Sequence, residues 1–174
     1  MMKDIFGFRI KKSILSTLNC NTRTHIFHNF SSMSKVLIFF SYEDWKEIEP
    51  IVQDLEKEGK EVILWTILPR KQKEIQGGLP RFVRAITPKE ISRIRGLSPS
   101  IVEEFKSLKY DTLFDFTTDE DNLVLCLLAC NSAEFCIGIK EIEYKIYDFI
   151  VLKDENINLL ETYEQIKIYQ SKIL

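Results

Sequence analysis

At 174 residues, with 45% hydrophobic and 29% charged side chains, the chain has the length and composition of one globular domain. A chain this long buries roughly 70% of its unfolded surface and needs no disulfide or metal to hold it. Its 24 basic residues nearly balance 26 acidic ones, for a formal net charge of −2, which excludes the broad electrostatic footprint of a nucleic-acid binder. The longest apolar runs, such as 123–130, stop far short of the roughly 20 residues that span a bilayer, so no transmembrane segment is expected.

The opening MMKDIFGFRIKK carries an acid and four basic residues among its apolar ones, which leaves no room for the apolar core of a signal peptide. It is read as unprocessed, and the expected location is the cytoplasm. In such a compartment Cys20, Cys126, Cys130 and Cys136 are reduced core thiols. Phe6, Ile10, Ile14, Leu15 and Leu18 recur at helical spacing beside Arg9, Lys11 and Lys12, predicting a short amphipathic helix. That helix is expected to dock on the domain or on a second copy, giving a homodimer. Its basic face offers the alternative of membrane-surface contact through residues 1–18. His25 to Ser34 reads as an irregular connection, so residues 1–34 form an N-terminal helix and connection and residues 35–174 a single Rossmann-like domain.

From Lys35 onward strands alternate with helices, the pattern of βαβ units. Val36 to Phe40 is a continuous apolar run, as in a strand buried on both faces. Trp45, Ile48, Ile51, Val52 and Leu55 then fall on one helical stripe that Gly59 closes, and Val62 to Leu68 supplies a second strand. Pro69 to Pro80, rich in basic and amide side chains with the pair Gly77 and Gly78, reads as a solvated loop. Phe82 to Ile86 is a third strand. Thr87, Pro88 and Glu90 predict the start of a helix, and Ser98 and Pro99 repeat the device before Ile101 to Leu108. Thr112 to Phe116 is the fourth strand. A polar cluster, Thr117 to Asp121, starts a helix whose buried face carries Leu123, Leu127, Leu128 and Cys130. Phe135 to Ile139 and Asp148 to Leu152 complete six strands, and a last helix is expected from about Glu155 to Gln170.

Right-handed crossovers applied throughout give an α/β fold: a three-layer Rossmann-like sandwich on a mainly parallel sheet of about six strands, ordered 3-2-1-4-5-6, with the extra N-terminal helix. Ligands of open α/β sheets lie beyond the carboxyl ends of the strands, where the order reverses. That rule selects the loops after the first and fourth strands, with Ser41, Tyr42, Glu43 and Asp44 on one and Asp115, Thr117, Thr118, Asp119 and Asn122 on the other. Two readings of these residues stay open. They converge on a small polar ligand, with oxygen ligands also suited to a divalent cation, or Ser41 and Thr117 or Thr118 simply cap the helices that follow. Glu43, Asp44, Asp115, Asp119, Glu120 and Asp121 argue against a phosphate in either case.

Neither G-x-G-x-x-G nor G-x-x-x-x-G-K-[ST] follows the first strand, so the usual nucleotide cradles are missing. His25 and His28 have the i, i+3 spacing of some metal ligands but no clustered partner in the adjoining sequence. Cys126 and Cys130 share a helix face as small hydrophobes. No catalytic residue, resident metal or cofactor is assigned.

On KVLIFF, EGKEVILWTI and KYDTLFDFTTDEDNLVLCLLACNSAEFCIGI, the chain resembles a family of small uncharacterised proteins from Bacteroidota over nearly its whole length, a likeness that implies no activity. More distantly, the last of these segments is similar to the N-terminal half of heptosyltransferase-type glycosyltransferases, which implies a shared Rossmann-like half. The glycine-aspartate turn expected after the first strand of such enzymes is missing, as is their second domain. The leading expectation is therefore a non-enzymatic binding or interaction module. The alternatives are an enzyme or a sugar- or nucleotide-sugar-binding subunit related to that glycosyltransferase half, and a peripheral inner-membrane-associated protein.

Overall fold

The computed structural model describes residues 2–69, 78–92 and 96–172. Its centre is β1 (Lys35–Phe39), with Val36 to Phe39 fully buried. It pairs in parallel with β2 (Glu61–Ile67), Val36 opposite Val62, and with β6 (Thr112–Asp115), Phe39 opposite Asp115. Outside β2 lies β3 (Val83–Ile86), and outside β6 lie β7 (Phe135–Gly138) and then β8 (Phe149–Ile150). The six parallel strands run β3-β2-β1-β6-β7-β8, the order 3-2-1-4-5-6 that the crossover rule predicts for the strands of this sheet.

Because side chains alternate along a strand, the sheet has two apolar faces and builds two cores. Val36, Ile38 and Phe40 pack with α2 (Trp45–Lys57) and α5 (Leu159–Lys172), where Ile48, Leu55, Tyr163 and Ile166 are buried. Leu37 and Phe39 face α1 (Met2–Cys20), α3 (Pro99–Ser107) and α4 (Asn122–Ala129), through Ile14, Phe105 and Leu125. The result is a three-layer sandwich. The N-terminal helix belongs to it, since Ile10 and Ile14 are buried against the α4 side. Leu15, expected on the same stripe, is 52% exposed.

Local chemistry sets the ends of these elements. Gly59 at φ +77° closes α2, with its N–H bonded to Glu56 O and the Lys60 N–H to Leu55 O, a Schellman cap that favours glycine. The helix expected after Thr87 is replaced by a single 3₁₀ turn, Pro88–Glu90, and an antiparallel pair, β4 (Ile91–Ser92) and β5 (Gly96–Leu97). The Glu90 carboxylate does accept the Thr87 N–H at 2.8 Å, as a capping box requires, but it also takes Arg84 at 2.7 Å. Ile91 is already extended, at φ −114° and ψ 112°. The last helix begins at Leu159 rather than Glu155, because Asn158 and Glu161 cap reciprocally: Asn158 Oδ1 accepts the Glu161 N–H at 2.9 Å and Glu161 Oε2 accepts the Asn158 N–H at 2.8 Å. The solvated loop expected over Pro69 to Pro80 falls largely on residues 70–77, outside the described residues.

The connection of residues 21–34 lacks regular structure but is tied down throughout. Asn21 Nδ2 donates to Ala129 O and Asn131 O, Arg23 to Ala133 O and Ile146 O, and the Ile26 N–H to Glu134 O. Asp111 Oδ2 accepts the Ser34 and Lys35 N–H groups where β1 begins. Among the described residues no helix is long and apolar enough to cross a membrane.

Candidate functional site

Three chain exits at the carboxyl end of the sheet enclose a cleft of about 300 Å³. From β1 the chain leaves through Phe40 and Ser41 into the 3₁₀ turn Tyr42–Asp44. From β2 it leaves through Leu68 and Pro69, and from β6 through Phe116 and Thr117 toward α4. Of the residues selected from sequence, the structure brings Ser41, Tyr42, Glu43, Thr117 and Asp119 to the cleft wall, together with Asp121. Phe40, Ile67, Leu68, Leu123 and Val124 make the wall largely apolar, and Ile91 of the β4–β5 hairpin closes one side.

Helix capping accounts for Asp121 in this set but not for Ser41 or Thr117. The cap of α4 is Asp121, whose Oδ1 accepts the Leu123 N–H at 2.6 Å and the Val124 N–H at 3.4 Å. Thr117 and Thr118, expected as alternative caps, lie before that residue, because the helix starts only at Asn122. Ser41 makes no side-chain cap bond to the turn that follows it. The amides at the start of α4 are therefore already engaged by a carboxylate, which removes the usual anion site at a helix N-terminus. Glu43, Asp119 and Asp121 are exposed on the rim. Beside them burial, with Glu47 and Glu43 nearby, raises the Asp44 carboxyl above its ordinary value.

Asp115, Thr118 and Asn122 do not line the cleft. Asp115 lies fully buried beneath it. Its Oδ1 accepts the Thr117 N–H at 3.0 Å and the Thr117 hydroxyl at 2.6 Å, and its Oδ2 accepts Lys140 Nζ at 2.9 Å and the Tyr147 hydroxyl at 2.5 Å. Lys140 also donates to Thr117 O at 2.6 Å. A buried carboxylate needs such partners, and these saturate it. Burial, and then the Asp115 charge, pushes the Tyr147 hydroxyl far above its ordinary range, so it stays a donor. Gly138 makes room for the ring: a Cβ there would stand 2.5 Å from Tyr147 Cδ2. Lys140 and Tyr147 were not selected from sequence. The signal that could have found them is the buried carboxylate itself, which demanded a cation or hydroxyls from the neighbouring strand's exit.

The two histidines are on the connection, in separate pairs: His25 Nδ1 with Asp148 Oδ1 at 2.6 Å, and His28 Nε2 with Glu134 Oε2 at 2.6 Å. Among the described residues no three His, Cys, Asp or Glu come together to hold a metal. Burial pushes the Cys126 and Cys130 thiols up to about 11, which disfavours the reactive thiolate.

Neither a curated protein nor a solved structure matches the chain. The model of one family does match, over residues 3–173, and on that near-complete coverage the chain belongs to DUF6913, a family of unknown function.

Proposed function

We propose that this protein is a non-enzymatic binding domain whose ligand is small, polar and positively charged, seated in the cleft between the exits of β1, β2 and β6. The observation that carries the reading is the charge of that cleft: Glu43, Asp119 and Asp121 stand on its wall and, among the described residues, no Lys, Arg or His does. Lys140, just past the end of β7, is engaged by Asp115 and Thr117. Low-dielectric walls concentrate the field of the three carboxylates on the opening. The non-enzymatic part rests on Asp115, whose oxygens are all taken, and on the histidines, which are paired on the N-terminal connection.

A thermal-shift series on the full chain tests this reading, because a ligand of the native state raises its melting temperature. Agmatine and arginine amide are expected to raise it saturably, whereas divalent ions, nucleotides and nucleotide sugars are not. A shift with UDP-glucose and none with the amines would instead favour the second reading, a subunit related to the N-terminal half of a glycosyltransferase. That reading rests on the resemblance of residues 109–139, and it ranks second because a diphosphate would meet the three carboxylates.

Attachment to a membrane surface has its own support in Phe8 and Leu15, which are 70% and 52% exposed on α1 beside the exposed Lys11 and Lys12. Equal sedimentation of the full chain and its Phe8→Ser, Leu15→Ser variant with anionic liposomes would end it. A homodimer finds support in Ile150, Leu152 and Tyr169, exposed together at β8 and α5. Light scattering decides between monomer and dimer.

A further inference from the structure

On the opposite side of the β4–β5 hairpin from the acidic cleft, a groove of about 380 Å³ runs between α1, α3 and α4, within the size range of small-molecule sites. Leu123 lines both, but their chemistry is opposite. The groove floor is apolar, formed by Ile10, Leu97, Val102, Leu123 and Cys126. All but Ile10 are only partly buried, so among the described residues no element covers this surface. Its rim carries two cations on different helices, Arg9 of α1 and Lys106 of α3, with the hydroxyls of Ser13 and Thr17 beside Arg9, and among the described residues no Asp or Glu lines it. Arg9 has no ion pair among the described residues, and Lys106 meets only Glu103, one turn away on its own helix, at 4.0 Å.

We infer that this groove binds a soluble amphipathic anion, a medium-chain carboxylate whose hydrocarbon lies on the apolar floor and whose head reaches Arg9 and Lys106. Charge complementarity selects the occupant. A neutral chain would leave both cations without a counter-charge, and a cationic one would face them with like charge. The hydroxyls at positions 13 and 17 give the carboxylate its remaining hydrogen bonds, as short polar contacts do in sites of this kind. Gly96 lets the hairpin form one wall: at φ +76° it brings the chain to where its Cβ would stand 3.6 Å from Leu123 Cδ2.

Calorimetric titration of octanoate into the full chain tests the inference. The expected result is saturable binding of one octanoate per chain, weakened at least tenfold in the Arg9→Gln, Lys106→Gln variant and blocked in Ser13→Trp, which fills the groove from an exposed helix position. Bound octanoate is also expected to slow maleimide labelling of Cys126 and Cys130 while leaving the exposed Cys20 unchanged. Octan-1-ol or octyltrimethylammonium binding as well as octanoate would overturn the inference. Equal octanoate affinity in the double variant would do the same, as would co-sedimentation with phosphatidylglycerol vesicles in the absence of any octanoate binding. None of these outcomes depends on the acidic cleft, whose residues the variants leave untouched.

Discussion

Asp115 shows how one buried carboxylate organises the carboxyl end of the sheet. Charge removed from water must be repaid by partners of good geometry, and Lys140, Tyr147 and Thr117 supply them. Lys140→Met leaves that carboxylate without its cation, and the expected loss is about 3 kcal/mol or more of unfolding free energy, read from the midpoint of urea denaturation. Gly138→Ala drives a methyl group into the Tyr147 ring and is expected to cost about 1–3 kcal/mol. The double variant Gly138→Ala, Tyr147→Leu should recover part of that loss, since the clash is with the ring, and no recovery would contradict the packing argument. At this scale the placement of Ser41 and Thr117 at the cleft was legible in the sequence because each directly follows a recognisable strand. Lys140 and Tyr147 were not, because they lie 25 and 32 residues from Asp115 and meet it only through the parallel register of β6 with β7.

Among the elements, the hairpin that separates the two clefts is held at its root by charge. Arg84 of β3 bonds Glu90 at 2.7 Å and Glu104 of α3 at 2.7 Å. Its hydrogen bond, followed by that of the Thr87 amide, pulls the Glu90 carboxyl from 4.5 down to about 2. A carboxyl whose pKa is lower in the folded chain gives stability that is fully present above pH 4.5 and lost as the pH falls from there through about 2. Arg84 and Glu90 are each 30% exposed, so solvent screening reduces the contribution to on the order of 1 kcal/mol. Melting temperatures recorded from pH 6 to pH 2 should fall less steeply for Glu90→Gln than for the native chain, and parallel curves would contradict the assignment. The same glutamate explains why the sequence misleads here. Thr87, Pro88 and Glu90 form a helix start, yet no apolar stripe runs on uninterrupted from it: Gly96, at φ +76°, breaks the helical spacing of Ile91, Ile94 and Leu97, and Ile91–Ser92 pairs with Gly96–Leu97 instead. Where a stripe does follow the cap, as at Trp45 to Leu55, the element forms as the pattern predicts.

For the whole molecule, alternation of strand and helix together with right-handed crossovers was enough to order the sheet, because each parallel strand must be reached by a crossover that packs on one face. The place of the cleft follows from that order, since β1 and β6 leave their common edge in opposite directions and open a gap above them. Its ligand chemistry did not follow, because the net charge of a cleft depends on which acids reach it and which buried cations are already spent. The proposed function turns on that charge. The direct test is a calorimetric titration of agmatine into the full chain and into its Glu43→Gln, Asp119→Asn variant, two exposed positions whose exchange leaves the core intact. Saturable binding of one agmatine to the native chain, weakened at least tenfold in the variant, is the predicted result. Binding of equal strength to both proteins, or to neither, would contradict the account.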